Sequence, residues 1–178
     1  MNENIILVDE NDTEIGTMPK LLAHQLGKLH RAFSVFIFNN KGELLIQQRA
    51  AHKYHSAGQW ANSCCSHPRP NETTLNAAKR RLIEELGFST AISPAGHLIY
   101  HSDVSGGLIE HEYDHLFVGH YNQEVSPNPD EVAATRWVTI SQLRNEIEST
   151  PEQFTPWLKM ILEQLSKGNL IEELSYLK

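Results

Sequence analysis

A cysteine and a histidine two positions apart, Cys65 and His67 in the segment Asn62-Ser63-Cys64-Cys65-Ser66-His67-Pro68, are answered downstream by Glu110-His111-Glu112. These are the residue types of a nucleophile or proton donor set beside a metal. A thiol serves catalysis where its surroundings control its protonation, and a nearby histidine that holds a cation supplies such surroundings. Carboxylates two apart on one strand face repel each other, so the arrangement needs a cation, a neighbouring arginine or lysine, or protonation. A metal is the economical solution; the plain alternative is an edge strand whose acids face water. His24, His30 and His67 offer neutral imidazoles from three separate segments, and three histidines with two carboxylates suit a divalent ion such as Zn²⁺, Mn²⁺ or Mg²⁺. Spacing alone does not single out these three among ten histidines. The others, among them His52, His55, His97 and His120, read as ordinary surface or half-buried residues.

These residues must be carried by alternating strands and helices with short connections, without internal repeats or low-complexity tracts. The apolar, β-branched and aromatic runs Ala32 to Phe38 and Leu44 to Gln48 flank Asn39-Asn40-Lys41-Gly42, which predicts a hairpin anchoring a mixed sheet. Asn71 to Leu86 places Leu75, Ala78, Leu82 and Leu86 at helical spacing, with Asn71 or Thr73 as N-cap and Gly87 as the stop. Thr155-Pro156-Trp157 opens a second helix, with Thr155 as cap and a stripe of Leu158, Ile161, Leu162 and Leu165 ending at Gly168. Trp157 then sits at the helix mouth. Along a strand from Leu108 to Val118, Glu110, Glu112 and Asp114 share one face and His111, Tyr113 and His115 the other.

A chain of 178 residues suffices for one domain, 1–178, with a sizeable core. Its net charge of −7 provides no basic stripe to follow a phosphate backbone, which disfavours nucleic acid but leaves room for a small bound anion. The amino terminus lacks a basic segment leading into an apolar run, and no later stretch approaches the ~20 apolar residues of a membrane span; a cytoplasmic protein is expected. The two cysteines are adjacent and are expected to stay reduced, Cys64 as a small buried apolar group turned away from Cys65.

The run Arg80-Arg81-Leu82-Ile83-Glu84-Glu85-Leu86-Gly87-Phe88, with Glu72 upstream, resembles the core of the Nudix box. Arg81 stands where that box carries a glutamate, and Ser66 where it opens with glycine. Nudix hydrolases use the helix to gather carboxylates around Mg²⁺ for attack of water on a diphosphate. Exchanging one carboxylate for Arg81 subtracts a ligand and lets the guanidinium grip a phosphate oxygen while Glu85 takes the associated Mg²⁺. With Cys65, His67, Glu110, Glu112 and Phe154-Thr155-Pro156-Trp157, the altered box resembles the type I isopentenyl-diphosphate isomerase family of the Nudix superfamily, over nearly the whole chain.

The resemblance implies an α/β fold, a Nudix-like α/β/α sandwich with a central mixed sheet. It implies interconversion of isopentenyl and dimethylallyl diphosphate through a tertiary carbocation, the alternative being a Nudix hydrolase cleaving a diphosphate. It implies that His24, His30, His67, Glu110 and Glu112 bind one divalent metal (Mn²⁺, Zn²⁺ or Mg²⁺) and that Glu85 reaches a Mg²⁺ carried by the substrate diphosphate. Cys65 and Glu112 become the proton-transfer pair, Tyr100 a relay to Glu112, and Trp157 a π-face beside the cation. Lys20, Arg49, Lys53 and Arg81 are the expected diphosphate contacts. The partner is then a small isoprenoid diphosphate rather than nucleic acid or membrane, and the chain a monomer or weak homodimer.

Overall fold

The structure, a computed structural model, describes residues 3–166. In chain order the elements are β1 (Asn4–Val8), β2 (Glu14–Pro19), α1 (Lys20–Leu26), β3 (His30–Phe38), β4 (Leu44–Arg49), β5 (Trp60–Ala61) and β6 (Cys64–Ser66). There follow α2 (Thr74–Leu86), β7 (Ile92–Val104), β8 (Leu108–His120), β9 (Val132–Val138), α3 (Ile140–Ser149), a 3₁₀ turn at Pro151–Gln153 and α4 (Pro156–Ser166). The end of the apolar stripe at Gly168, and the side chain of Leu165, lie outside the described residues.

Period-two patterning of β3 explains the layers, because successive side chains of a strand point to opposite faces. Phe33, Val35 and Ile37 join Ala77, Ala78, Leu82 and Leu86 of α2 in one core, while Phe36 and Phe38 join Leu143 of α3 and Leu158, Ile161 and Leu162 of α4 in the other. Helices therefore cover both faces of a mixed sheet. β3 is central: it pairs antiparallel with β1, β4 and β6 and parallel with β8, which in turn pairs antiparallel with β7. The expected hairpin is present, closing at Phe38 opposite Leu44.

Thr73, not Asn71, caps α2, accepting the Asn76 amide on its hydroxyl; Asn71 takes a left-handed conformation in the turn before it. Gly87 ends the helix at φ 76°, and a Cβ there would fall 2.4 Å from the Ser126 carbonyl oxygen, so only glycine fits. Thr155 does not cap α4 as expected. Its buried hydroxyl has no hydrogen-bond partner, and its carbonyl instead accepts the Lys159 amide. No helix among the described residues is long and apolar enough to cross a membrane.

Candidate active site

Strand register assembles the site. The parallel pairing of β3 with β8 sets His30 opposite Glu112, and the antiparallel pairing of β7 with β8 sets Tyr100 opposite the same glutamate. β6 lies along β3 with Cys65 opposite Ser34, and the chain leaving β6 carries His67 inward. His24 descends from α1. Glu110, Glu112 and Asp114 are all buried, as the alternation of β8 requires.

His24, His30, His67, Glu110 and Glu112 each offer one ligand atom within a group spanning 4.8 Å. The chemistry of that group fits a divalent cation. Nδ1 of His24 and Nδ1 of His30 each lie 2.7 Å from a backbone carbonyl, of Lys20 and Lys28. A carbonyl only accepts, so both Nδ1 atoms carry protons, and in the neutral tautomer each ring turns an Nε2 lone pair inward. Those lone pairs face oxygens: His24 Nε2 is 3.2 Å from Glu110 Oε2, and His30 Nε2 is 3.5 Å from Glu112 Oε1. His30 and His67 also point their Nε2 atoms at each other across 3.2 Å, with Glu112 Oε1 2.9 Å from His67. Buried lone pairs facing carboxylates repel unless a proton or a metal ion lies between them. His24 Nε2 and Glu110 Oε2 are buried without any hydrogen-bond partner.

Without a metal, the proton distribution reflects that conflict. Burial opposes protonation of His24, but the facing Glu110 carboxylate outweighs it and raises its pKa. Burial, reinforced by the charges of Lys20, His30 and His24, drives His67 well below the usual range. Burial also opposes ionisation of Glu112, yet hydrogen bonding to His30 and the His30 charge prevail and lower it. Tyr100, driven well above its usual range chiefly by burial, donates its hydroxyl proton to Glu112 Oε2 at 2.5 Å.

A pocket opens beside this cluster, lined by Lys20, Arg49, His55, Cys65, Tyr100 and Trp157 together with Ser66, His67, Glu110 and Glu112. Burial pushes the Cys65 thiol up to about 12 despite the opposing charge of Arg49, so the group carries its proton at neutral pH. Cys64 faces the α2 core, fully buried, and both cysteines are free. Trp157 is held in the wall by its indole N–H, which donates to Asn62 Oδ1 at 3.2 Å. Asn62 in turn donates to the carbonyls of Val35 and Cys64, tying that wall to β3 and β6. The Arg49 guanidinium lies 5.3 Å from the centre of the Trp157 ring, and its buried Nε–H has no partner.

A family model for the NUDIX domain matches residues 28–158. The chain is 48% identical over 172 residues to isopentenyl-diphosphate Delta-isomerase 2 of Photorhabdus laumondii, with 97% of each chain covered. Isopentenyl-diphosphate Delta-isomerase of Serratia proteamaculans is 48% identical over 170 residues, covering 96% of this chain and 95% of that one. The Streptomyces coelicolor enzyme of the same name is 50% identical over 160 residues, with 88% and 80% covered. The chain belongs to the isopentenyl-diphosphate Delta-isomerase family. At the level of fold, it resembles the MutT protein of Methanosarcina mazei (TM-score 0.66, 19% identity, 79% and 95% covered). It also resembles a MutT NUDIX hydrolase of Burkholderia pseudomallei (TM-score 0.60, 21% identity, 76% and 97% covered).

In this isomerase-family chain, α2 carries the altered box in a form the sequence did not anticipate. Arg81 does not line the cavity. Its guanidinium donates to Glu84 at 2.7 Å, to Glu85 at 2.5 Å and to Glu131 at 3.0 Å. Lys53, also expected among the phosphate contacts, is paired with the same Glu131 oxygen. Both cations therefore rest on carboxylates at the edge of the site. Glu85 is buried, with Oε2 accepting the Gln47 amide at 2.8 Å and Oε1 turned to Arg81. Glu72 clasps Arg80 through both oxygens at 2.7 and 2.8 Å, which fixes the turn before α2.

The expectation for His55 is overturned. Instead of lying at the surface it is 5% exposed, with Nε2 2.9 Å from Glu110 Oε1. His52, His97 and His120 are exposed, as expected. Nothing in the local sequence distinguishes His55 from these, because its burial depends on how the segment between β4 and β5 folds over β8.

Proposed function

We propose that this chain interconverts isopentenyl diphosphate and dimethylallyl diphosphate by adding a proton at one end of an alkene and removing one from the other, through a tertiary carbocation. The observation that carries the reading is the cavity in which the Cys65 thiol, the Tyr100–Glu112 pair and the Trp157 ring converge next to the His/Glu cluster. Moving the double bond from C3–C4 to C2–C3 requires one proton at C4 and the loss of one at C2. No carbonyl spreads the charge, so the reaction needs a positioned acid, a positioned base and walls that exclude water. Cys65 comes from β6 and Glu112 from β8; the first carries a proton, the second is held ionised, and Tyr100 can pass a proton to the Glu112 carboxylate along an existing hydrogen bond. Trp157 presents an aromatic face to developing positive charge, an attraction of ~2 kcal/mol or more once desolvated.

We assign His24, His30, His67, Glu110 and Glu112 to one divalent ion, Mn²⁺, Zn²⁺ or Mg²⁺, and Glu85 to a Mg²⁺ arriving with the diphosphate; bound there, the ions supply fixed positive charge that orients Glu112 and screens the phosphate oxygens. Lys20 and Arg49 are assigned to the diphosphate, supported by their place in the cavity wall. Lys53 and Arg81 join them by exchanging the Glu131 carboxylate for phosphate oxygens. The Lys20 ammonium is disfavoured chiefly by burial, which Glu110 and Glu3 offset in part and Arg49 and Arg81 reinforce, and a bound anion would favour its charged form. A cytoplasmic monomer or weak homodimer acting on a small isoprenoid diphosphate accords with this reading. It is tested by incubating metal-reconstituted protein with isopentenyl diphosphate and following product by ¹H and ³¹P NMR. Dimethylallyl diphosphate without phosphate release is expected; isopentenyl monophosphate or free phosphate would return the chain to diphosphate hydrolysis.

A further inference from the structure

We propose that His55 is a positioning residue of the metal centre, holding Glu110 by one carboxylate oxygen so that the other is aimed at the ion. The inference rests on the reading of His24, His30, His67, Glu110 and Glu112 as a metal centre. Glu110 divides its oxygens. Oε1 lies 2.9 Å from His55 Nε2, whereas Oε2 has no hydrogen-bond partner and points toward His24 Nε2 at 3.2 Å. The other nitrogen of His55, Nδ1, is 3.3 Å from the Ser56 hydroxyl. A hydroxyl donating there leaves the single proton of a neutral ring on Nε2, where it is donated to Glu110. A carboxylate pinned in this way would offer a metal its free oxygen, with its rotation restrained by the His55 contact.

The surrounding chain is built to keep His55 in place. Ser56 adopts φ +50°, a left-handed conformation unfavourable for a residue with a Cβ, and its amide donates to the Ser105 hydroxyl of the β7–β8 connection at 3.1 Å. On the other side Arg49, a cavity residue, donates to the His55 carbonyl at 3.3 Å. The His55 ring stacks on His24 with centroids 5.8 Å apart and stands edge-on to Trp157 at 6.1 Å. One residue thus connects the metal ligands to the aromatic wall of the cavity.

Mn²⁺ affinity of the metal-stripped protein, read from the free-ion electron paramagnetic resonance signal without substrate, tests the inference. His55→Gln keeps an N–H near the position of Nε2, His55→Phe keeps the ring against His24 and Trp157 without the donor, and His55→Ala removes both. The expected result is a Kd raised roughly ten- to a hundredfold in the Phe and Ala variants and within about threefold of wild type in Gln. If His55→Ala does not fold by circular dichroism, the Phe and Gln variants decide alone. Wild-type affinity in His55→Phe, or a Gln variant as weak as Phe, would overturn the positioning role while leaving the metal centre standing. Wild-type protein that takes up no Mn²⁺ would remove both.

Discussion

Replacing Tyr100 by Phe isolates the one hydrogen bond on which the proposed proton relay depends. The ring of Tyr100 is 6% exposed and packs against Ala61 and Trp157, and Phe preserves that packing, so no cavity opens. What disappears is the O–H that donates to Glu112 Oε2 at 2.5 Å. Hydrogen bonds to an ionised, buried partner contribute about 1.5–3 kcal/mol. At 1.36 kcal/mol per factor of ten, loss of that much transition-state stabilisation lowers kcat roughly ten- to 150-fold. The groups assigned above to the diphosphate are untouched, so KM should stay within about twofold. The assay is conversion of isopentenyl diphosphate at saturating substrate by NMR, on protein whose Mn²⁺ content and thermal unfolding match wild type. A kcat within twofold of wild type would refute the relay and leave Tyr100 as a packing residue.

Cys65→Ala should abolish turnover with the fold intact, since the side chain is small and half-buried; near-normal rates would remove the thiol from the mechanism. With its pKa pushed up to about 12 by burial, the Cys65 thiol of metal-free protein should react with iodoacetamide at pH 8 far more slowly than a free thiol. Raising the pH should accelerate alkylation steadily up to that range, and rapid alkylation at pH 8 would contradict the assigned protonation state. Trp157→Phe should lose less activity than Trp157→Ala because an aromatic face remains, at equal metal content; equal losses would argue that the ring only packs. Glu131→Gln should release Lys53 and Arg81 from a part-exposed ion pair contributing ~0.5–1 kcal/mol and lower KM for isopentenyl diphosphate by roughly two- to fivefold. A raised KM would instead make Glu131 a residue that holds the two cations in position.

Local chemistry was readable from the chain wherever one segment decides it. The alternation of Glu110, Glu112 and Asp114, the β3–β4 hairpin and the stop of α2 at Gly87 are set by period, turn residues and a left-handed glycine, all properties of contiguous residues. Register was not readable. The parallel β3–β8 pairing that sets His30 opposite Glu112 joins residues 82 positions apart, and only the family resemblance brought them together beforehand. His55 was missed for the same reason: its burial is decided by a loop closing over a distant strand. Arg81 illustrates a different limit, since a guanidinium close to three acids goes to whichever anion is present, and sequence does not rank Glu84, Glu85 and Glu131 against a phosphate. Likewise, Thr155 has the right residue type for a cap, but its buried hydroxyl takes no hydrogen-bond partner.

The central claim is that two protein groups exchange protons with the substrate from different walls of one cavity. It is tested most directly by running the reaction in deuterated water with metal-reconstituted protein and locating the label by NMR. Dimethylallyl diphosphate carrying deuterium in the methyl group formed from C4, without phosphate release, is the expected result. Unlabelled dimethylallyl diphosphate would mean a direct hydrogen shift within the substrate and would contradict the roles given to Cys65 and Glu112.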